Sequence, residues 1–514
     1  MKRKMRPVLI TLIILAVLTG VGIYFLLDKD TVSDSFKERI QRDQSDQEES
    51  RAYRFDIDEE AIELKISGDD KNVLNFDSDN VYDVAASKDA RDRLDRLIRR
   101  MTTSFDEPII AANPFGTNTG SFYFYFESSY RGMLRYTVTV EDETVFDHVR
   151  YVNNGQEENL TEKHEFVVSG LVPGKTNYII LEILDSNGAR REKRVFKYTM
   201  PAAKGKTQIS MEKGNSKSLC CNGMFFVFPK SDKNIYAYDH NGVLRNTIVT
   251  ETGHGRRMYQ AGDCVLYQIS DTKVVKVSAL GQVLGVAEIK GYGAIKDFAY
   301  DGYENIYALV TKKGKDYLIA TSLTKGKTKE TFVFPKKVKV TSVAVPTGGS
   351  VYAVCQAPQG IMRIDALTSQ TPQVNVVYGK KKDWKKTAWK KKVVPDEQVV
   401  CWDLSGVKLN LLTAGEQTNS MAAYVSDKGT GTGLWFTMDN DNKKISVEHS
   451  FPVNEEGRCD CQAYDSHVII SNLTKGNFAE YDQLGKVTRS FSFGLELDAI
   501  TKLSLNDMCF YSGQ

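Results

Sequence analysis

From Tyr292 to Trp389 the chain repeats itself, and the repeat leaves few folds open. Gly293-Ala-Ile-Lys-Asp-Phe-Ala-Tyr-Asp-Gly (293–302) leads a polar segment into an Asp-Gly turn, and the apolar run Asn305-Ile-Tyr-Ala-Leu-Val follows. After a second strand pattern, Tyr317 to Ser322, the unit returns as Lys339-Val-Thr-Ser-Val-Ala-Val-Pro-Thr-Gly-Gly, Val351-Tyr-Ala-Val-Cys and Gly360-Ile-Met-Arg-Ile-Asp. Units of roughly 40–50 residues made only of strands and turns mark a β-propeller, whose blades bury apolar faces against each other. Ile235-Tyr-Ala-Tyr-Asp-His-Asn-Gly-Val, Val274-Val-Lys-Val-Ser-Ala-Leu-Gly-Gln-Val and Phe478-Ala-Glu-Tyr-Asp-Gln-Leu-Gly-Lys-Val show the same strand, glycine turn and return strand. Residues 204–514, roughly 310 at about 50 per blade, predict six blades, with seven shorter blades as the alternative.

A net charge of +2 gives no reason to expect nucleic acid as a partner. Eight cysteines fall at 220, 221, 264, 355, 401, 459, 461 and 509, with no Cys-x-x-Cys pair, so no zinc or other metal site is expected, and no cofactor. Cys264 and Cys355 sit in apolar runs and read as small buried hydrophobes. Cys459-Asp-Cys461 offers at most a surface redox pair, since cysteines adjacent but one are poorly placed to bridge each other.

The N-terminus predicts where the protein lives. Lys2, Arg3, Lys4 and Arg6 precede an uncharged run from Pro7 to Leu27, whose 21 residues suffice to cross a bilayer core. The run ends in Ile23-Tyr-Phe-Leu-Leu, too bulky for a signal-peptide cut site, and no cysteine follows it to mark a lipoprotein. The basic flank belongs in the cytoplasm. The expectation is a single-pass signal anchor over 1–27 in the cell membrane, with the rest of the chain outside the cytoplasm.

Residues 28–104 read as a charged tether, a short strand (Phe55-Asp-Ile-Asp, Ile62-Glu-Leu-Lys-Ile) and an amphipathic helix from Ser87. Ala90, Leu94, Leu97, Ile98 and Met101 fall at helical spacing, a stripe expected to dock on the next domain. From 105 to 203 only strands are expected: Ser121–Glu127, Leu134–Val140, Glu165–Val168, Tyr178–Leu184 and Lys193–Tyr198, with an Asn187-Gly188 hairpin turn. About 95 residues suit one Ig- or fibronectin-III-like β-sandwich, and Leu171-Val-Pro-Gly-Lys-Thr-Asn-Tyr resembles the segment ending in the corner tyrosine of fibronectin type III domains. Asn159-Leu-Thr and Asn472-Leu-Thr match the glycan acceptor pattern.

Several segments together resemble the bacterial aryl-sulfate sulfotransferases, a PAPS-independent family with a small β domain before a six-bladed propeller. Asn113-Pro-Phe-Gly-Thr-Asn is similar to the segment that opens that family's small domain, and Leu171-Val-Pro-Gly to a Gly-Leu-x-Pro turn later in it. Lys296-Asp-Phe-Ala-Tyr-Asp resembles its His-Asp-Phe-x-x-Asp segment. Val376-Val-Tyr-Gly followed by Trp384-Lys-Lys-Thr resembles its Ile-Gly-Asp…Trp-x-Gly-Thr. The resemblance implies a bacterial envelope protein in which a histidine carries a sulfuryl group from a phenolic sulfate to a phenol. Further histidines, an asparagine and an arginine would hold the sulfate oxygens.

The chain departs from that pattern at the site. Lys296 stands for the histidine of His-Asp-Phe, and Lys339-Val-Thr-Ser stands for His-x-Asn-Ser, which puts Thr341 at the asparagine. Gln356 aligns with the arginine, and Glu416-Gln417-Thr418 with Gly-Gln-His. Of six histidines, His148 and His164 fall in the sandwich, His240 in a turn where solvation is expected, and His449 and His467 beside strands. Only His254, in Gly-His-Gly-Arg-Arg-Met, suits an anion pocket, with Arg257 aligned to a family arginine, and it is the candidate nucleophile. If the alignment holds, Lys296 and Lys339 point into the central channel, where lysines bind anions but carry a sulfuryl group poorly.

Lys380-Lys-Lys-Asp-Trp-Lys-Lys-Thr-Ala-Trp-Lys-Lys-Lys (380–392) packs eight lysines and two tryptophans together. Outside the cytoplasm such a segment is either a solvated loop or a surface for an anionic wall polymer or phospholipid headgroups, with the tryptophans at the interface. The leading expectation is an anion-binding propeller protein with a degenerate site. The alternatives are a working sulfotransferase with a rearranged site and an envelope scaffold.

Overall fold

A computed structural model describes residues 61–503 apart from 70, 77–79, 143–144, 146, 153–159, 205–208, 214–222, 263, 346–349, 366–370, 395–409, 415–417, 428–429, 440, 454 and 465–466. The expected anchor, the tether, the Phe55–Asp58 strand pattern and the Asn159 acceptor lie outside the described residues. Among the described residues no helix is long and apolar enough to cross a membrane.

Six sheets form the propeller, and the seven-blade alternative is set aside. Blades two, three and five are four-stranded meanders: Met258–Ala261 to Val283–Glu288, Ile295–Tyr300 to Thr328–Val333, and Asn410–Ala414 to Lys444–Pro452. Blade four runs from Lys339–Ala344 to Gln373–Gly379 and adds the short parallel strand Val393–Val394. The ring closes with two distant segments of the chain. Leu497–Leu503 pairs with Met224–Pro229 to start blade one, while Ser210–Lys213 adds a fifth strand to blade six beside Val487–Ser492. Strands inside a blade, such as Met224–Pro229 and Cys264–Ser270, are buried along their whole length because both faces of a blade meet neighbours.

The closing strand is locked by charge as well as by backbone. Lys502 is buried against Glu480, which also lies 3.6 Å from Arg489, and the Lys502 ammonium sits 4.8 Å from the Phe225 ring centroid. Gln462 clamps the Lys502 backbone, accepting from its N at 3.0 Å and donating to its O at 3.0 Å.

The preceding domain is a β-sandwich in which one strand serves both sheets. Phe122–Val140 spans 19 residues where the sequence suggested two strands. Its first half pairs with Thr161–Val168 and Ile109–Ala112, and its second with Thr176–Leu184 and His148–Tyr151. The change of partner falls at an irregularity between Glu127 and Gly132, as expected where a bulge bends a strand from one sheet to the other. Phe122, Phe124, Phe126, Leu134, Tyr136, Phe166 and Phe196 share one core. The short strand Ile62–Glu63 joins the sandwich, pairing in parallel with Arg190–Thr199.

The helix Val84–Arg100 starts three residues before the expected Ser87, because Asp83 caps it by accepting from Ala86 N at 2.8 Å. Leu94 is fully buried, with Ala90, Leu97 and Ile98 packed around it against Phe76, Phe115, Tyr123 and Leu280. Met101 leaves the expected stripe: it caps the helix C-terminus and is half exposed. Ser87 accepts from Val283 N of blade two at 2.8 Å, so the helix touches sandwich and propeller together.

The two segments that carry the family resemblance in the sandwich also contact the propeller. In Asn113-Pro-Phe-Gly-Thr-Asn, Thr117 donates to Gly281 O at 2.5 Å, and two residues on, Thr119 donates to Thr247 O. Gly170 O accepts from Arg245 at 3.1 Å. Gly170 has φ +87°, and a Cβ there would fall 2.4 Å from the His148 ring, so this turn requires glycine. At the expected tyrosine corner, Asn177 makes the bond back to the Val172 backbone at 2.7 Å, while Tyr178 donates to Glu141 at 2.9 Å.

Candidate functional site

The edge strands Met258–Ala261, Ile295–Tyr300, Lys339–Ala344, Cys459–Tyr464 and Leu497–Leu503 bring polar residues toward one another across blades. The best-defined cluster centres on Arg257. Its guanidinium forms a two-pronged pair with Asp297, Nε to Oδ1 at 2.6 Å and Nη2 to Oδ2 at 2.9 Å, and Nη2 also donates to Ser342 Oγ at 2.7 Å. Asp297 Oδ2 accepts from Val343 N at 2.9 Å. Arg257 is 5% exposed and Asp297 4%, and the pair stitches blades two, three and four. Burial works against the guanidinium charge, but Asp297, Tyr259 and Asp460 of blade six more than offset it and raise the pKa further.

The two candidate lysines have partners of their own. Lys296 Nζ donates to Asp316 at 3.0 Å and to Val340 O at 2.8 Å, across the face between blades three and four. Burial alone would raise the Asp316 carboxyl. Bonds from Thr311 and Val340 N and the Lys296 charge hold it below the usual carboxylate range. Lys339 is exposed and donates to Gly314 O at 3.0 Å. The physical reason is the backbone. The register shifts between Ile295 and Asp297 and between Val340 and Ser342, which leaves Lys296 and Thr341 as the extra residues of two bulges. A bulge re-aims side chains by one position, so Asp297 and Ser342 are the residues that meet Arg257. Thr341 donates to Val354 O of its own blade at 3.4 Å, and Gln356 is exposed near a hairpin end. Thr418 opens the strand Thr418–Asp427, opposite Asp439, while Glu416 and Gln417 lie outside the described residues.

His254 is held between backbone carbonyls. Nε2 lies 2.9 Å from Pro229 O and Nδ1 lies 3.1 Å from Gly255 O, and the ring packs edge-on to Phe228. A nucleophilic imidazole needs one ring nitrogen with its lone pair open to the substrate. Carbonyl oxygens only accept, so both nitrogens face groups that call for N–H.

The remaining histidines are structural. His164 stacks on Phe126 at 4.7 Å, and burial lowers its pKa to about 4. His240 is partly buried in its turn instead of solvated: burial lowers its pKa to about 4 as well, and Asn241 Nδ2 lies 3.0 Å from its Nε2. His148 is buried, with its pKa lowered by desolvation and by Arg245 and Arg150. His467 is buried in a blade-six strand, and His449 lies edge-on to Trp435.

Cys459 and Cys461 are buried thiols whose pKa burial raises, which removes the surface redox pair. Cys264 and Cys355 are buried core thiols. Asn472 is buried and donates to Glu455 at 2.7 Å, so its acceptor pattern is inside the fold.

The lysine segment 380–392 is pinned from within. Trp384 is fully buried, donates Nε1 to Gln359 O at 3.0 Å, and packs so close that a Cβ on Gly379 would fall 2.7 Å from its Nε1. Trp389 lies against Phe332 and Trp384 at 6.0 and 6.5 Å. The tryptophans therefore anchor the segment to blades three and four and do not form an interfacial belt. Lys392 donates to Val374 O. Among the described residues the other lysines here have no carboxylate within ion-pair distance, so their charge is presented outward.

Sequence reading misses the Arg257–Asp297–Ser342 knot and the Glu480–Arg489–Lys502 lock. A signal exists for the first, since Asp297 and Ser342 belong to the very segments that resemble the family. For the second there is only a set of charged residues in strands that are otherwise apolar.

Together these elements define a class, an Ig-like β-sandwich built onto a six-bladed propeller with a buried polar knot between the blades. Residues 109–201 match the family model described as the arylsulfotransferase Ig-like domain, which supports a relationship with that family. No curated protein matches the chain. Among solved structures it is similar to the β-propeller domain of Cps50 (Swd1) from Myceliophteria thermophila (13% identity, 52% of this chain and 82% of that one, TM-score 0.34). It is also similar to a chain of the nidogen/laminin complex (11%, 55% and 98%, 0.37) and to virginiamycin B lyase from Staphylococcus aureus (8%, 70% and 99%, 0.33).

Proposed function

We propose that this is a membrane-anchored, extracytoplasmic sandwich–propeller protein related to the arylsulfotransferases, which holds an anionic ligand or surface instead of transferring sulfuryl groups. The observation that carries this reading is how the cations are used. Those aligned with a sulfuryl site are committed to Asp297, Asp316 and backbone carbonyls, whereas the lysines of 380–392 are displayed on a pinned platform. A rigid array of ammonium groups with no carboxylate partner among the described residues favours phosphodiester or sulfate surfaces, and does so in a salt-dependent way. The span Pro7–Leu27 would hold the platform outside the cytoplasm, near headgroups or wall polymer.

Two measurements on the detergent-solubilised full chain test it. The first is sulfuryl transfer from p-nitrophenyl sulfate to phenol without PAPS. No turnover is expected, and turnover lost in His254→Ala would establish the working sulfotransferase instead. The second is retention at low salt on beads bearing poly(glycerol phosphate), a phosphodiester polymer into which the anchor cannot insert. Replacing Lys381, Lys382, Lys385 and Lys386 by glutamine should release the protein, and unchanged retention would rule the platform out.

A further inference from the structure

The helix that wedges between sandwich and propeller carries a second, separate concentration of charge. A cleft of about 370 Å³ opens beside its C-terminal half, lined by Leu74, Asn75 and Phe76 on one side and by Arg93, Arg96, Leu97 and Arg100 of the helix. These arginines fall at i, i+3 and i+7, one helix face. Neighbours on such a face are about 5–6 Å apart, and the outer pair spans roughly 10 Å at 1.5 Å per residue. Phe76 supports the first guanidinium at 4.7 Å.

Arg91 on the same helix provides the contrast. It is fully used, pairing with Asp95 at 2.8 Å and with Glu165. Among the described residues Arg93, Arg96 and Arg100 have no carboxylate within ion-pair distance, although Asp92 stands four residues before Arg96, at the spacing that favours a pair. Arg99 and Arg100 in the last turn complement the helix dipole, but Arg93 and Arg96 come before that turn. Leu74, 37% exposed, leaves an apolar patch on the cleft wall.

We infer that this cleft binds a small ligand with two phosphate or sulfate groups roughly 6–10 Å apart on a compact body. The guanidinium forks would hold the anions two-pronged, and Leu74 and Leu97 would cover the body. The site shares no residue with the lysine platform and stands independently of it.

The test is calorimetric titration of the full chain in detergent with fructose 1,6-bisphosphate. Orthophosphate is the single-anion control, and poly(glycerol phosphate) beads carry the surface-bound form of the same chemistry. Arg96→Gln/Arg100→Gln keeps helix propensity, and its melting temperature serves as the folding control. The expected result is saturable bisphosphate binding, tighter than orthophosphate binding, that falls by about ten-fold or more in the arginine variant because charge-assisted bonds are lost. Bead retention lost in the arginine variant but kept in the platform variant, without soluble binding, would support the site and assign the phosphates to a surface. Orthophosphate binding as tight as bisphosphate binding, absence of both forms of binding, or binding unchanged in the arginine variant overturns the proposal. Binding lost only in the platform variant overturns it too, while leaving the platform reading intact.

Discussion

Replacing Arg257 by methionine separates a structural arginine from one kept for a ligand. The variant leaves Asp297 buried with a bond from Val343 N at 2.9 Å, and removes the donor to Ser342. Breaking one side of a buried ion pair costs about 3–5 kcal/mol, and the surviving backbone bond places the expected loss near the lower figure, about 3 kcal/mol. For a domain of this size that is a fall in melting temperature of roughly 6 °C, at about 2 °C per kcal/mol. Asp297→Leu should cost at least as much, since it removes the two-pronged carboxylate partner of the Arg257 cation and the acceptor of the Val343 N–H. The double variant Arg257→Met/Asp297→Leu leaves only the Val343 N–H without its carboxylate acceptor and takes one donor from Ser342, a cost of about 1–3 kcal/mol. The assay is thermal unfolding of the four proteins as a double-mutant cycle. A double variant whose loss equals the sum of the single losses would refute the pairing. An unchanged or raised melting temperature in Arg257→Met would mean that the arginine is held in strain for a ligand.

Trp384→Ala should cost about 3–5 kcal/mol, as for other fully buried tryptophans, and should weaken retention on poly(glycerol phosphate) although no lysine is changed. Retention at the native level would show that the platform does not depend on its pin. His164 is held neutral by burial, with its pKa lowered to about 4 against about 6.5 in the unfolded chain. The unfolded chain therefore binds the proton first, so this group favours unfolding progressively as pH falls from about 6.5 toward 4 and has no effect above that window. His164→Gln should lose less melting temperature than the native chain between about pH 7 and pH 5, and equal losses would count against this account.

Blades and sandwich were legible because they rest on local conformation and period-two burial. The strand–turn repeat around Asp301-Gly302, the apolar central strands and the Asn187-Gly188 turn all stand as read. Asn113-Pro-Phe-Gly-Thr-Asn and the Gly170 turn were readable as a family signature, but their work, holding the propeller, was not. Their partners Gly281, Thr247 and Arg245 are 164, 128 and 75 residues away. The sequence of the 19-residue strand resembles two strands because the polar stretch at its bend interrupts the apolar pattern while the backbone runs on.

Patterns within a few dozen residues specify the all-β layers, the blade repeat and the lysine run, while the ring of six sheets decided between six blades and seven. Which charges remain free was settled by folding. Two one-residue bulges turned Lys296 and Thr341 away from Arg257 and brought Asp297 and Ser342 to it. The closing of the ring buried Lys502 with Glu480, and packing turned Trp384 inward. A side chain's chemistry is written in the sequence, but its availability depends on partners that only the folded chain brings within about 3 Å.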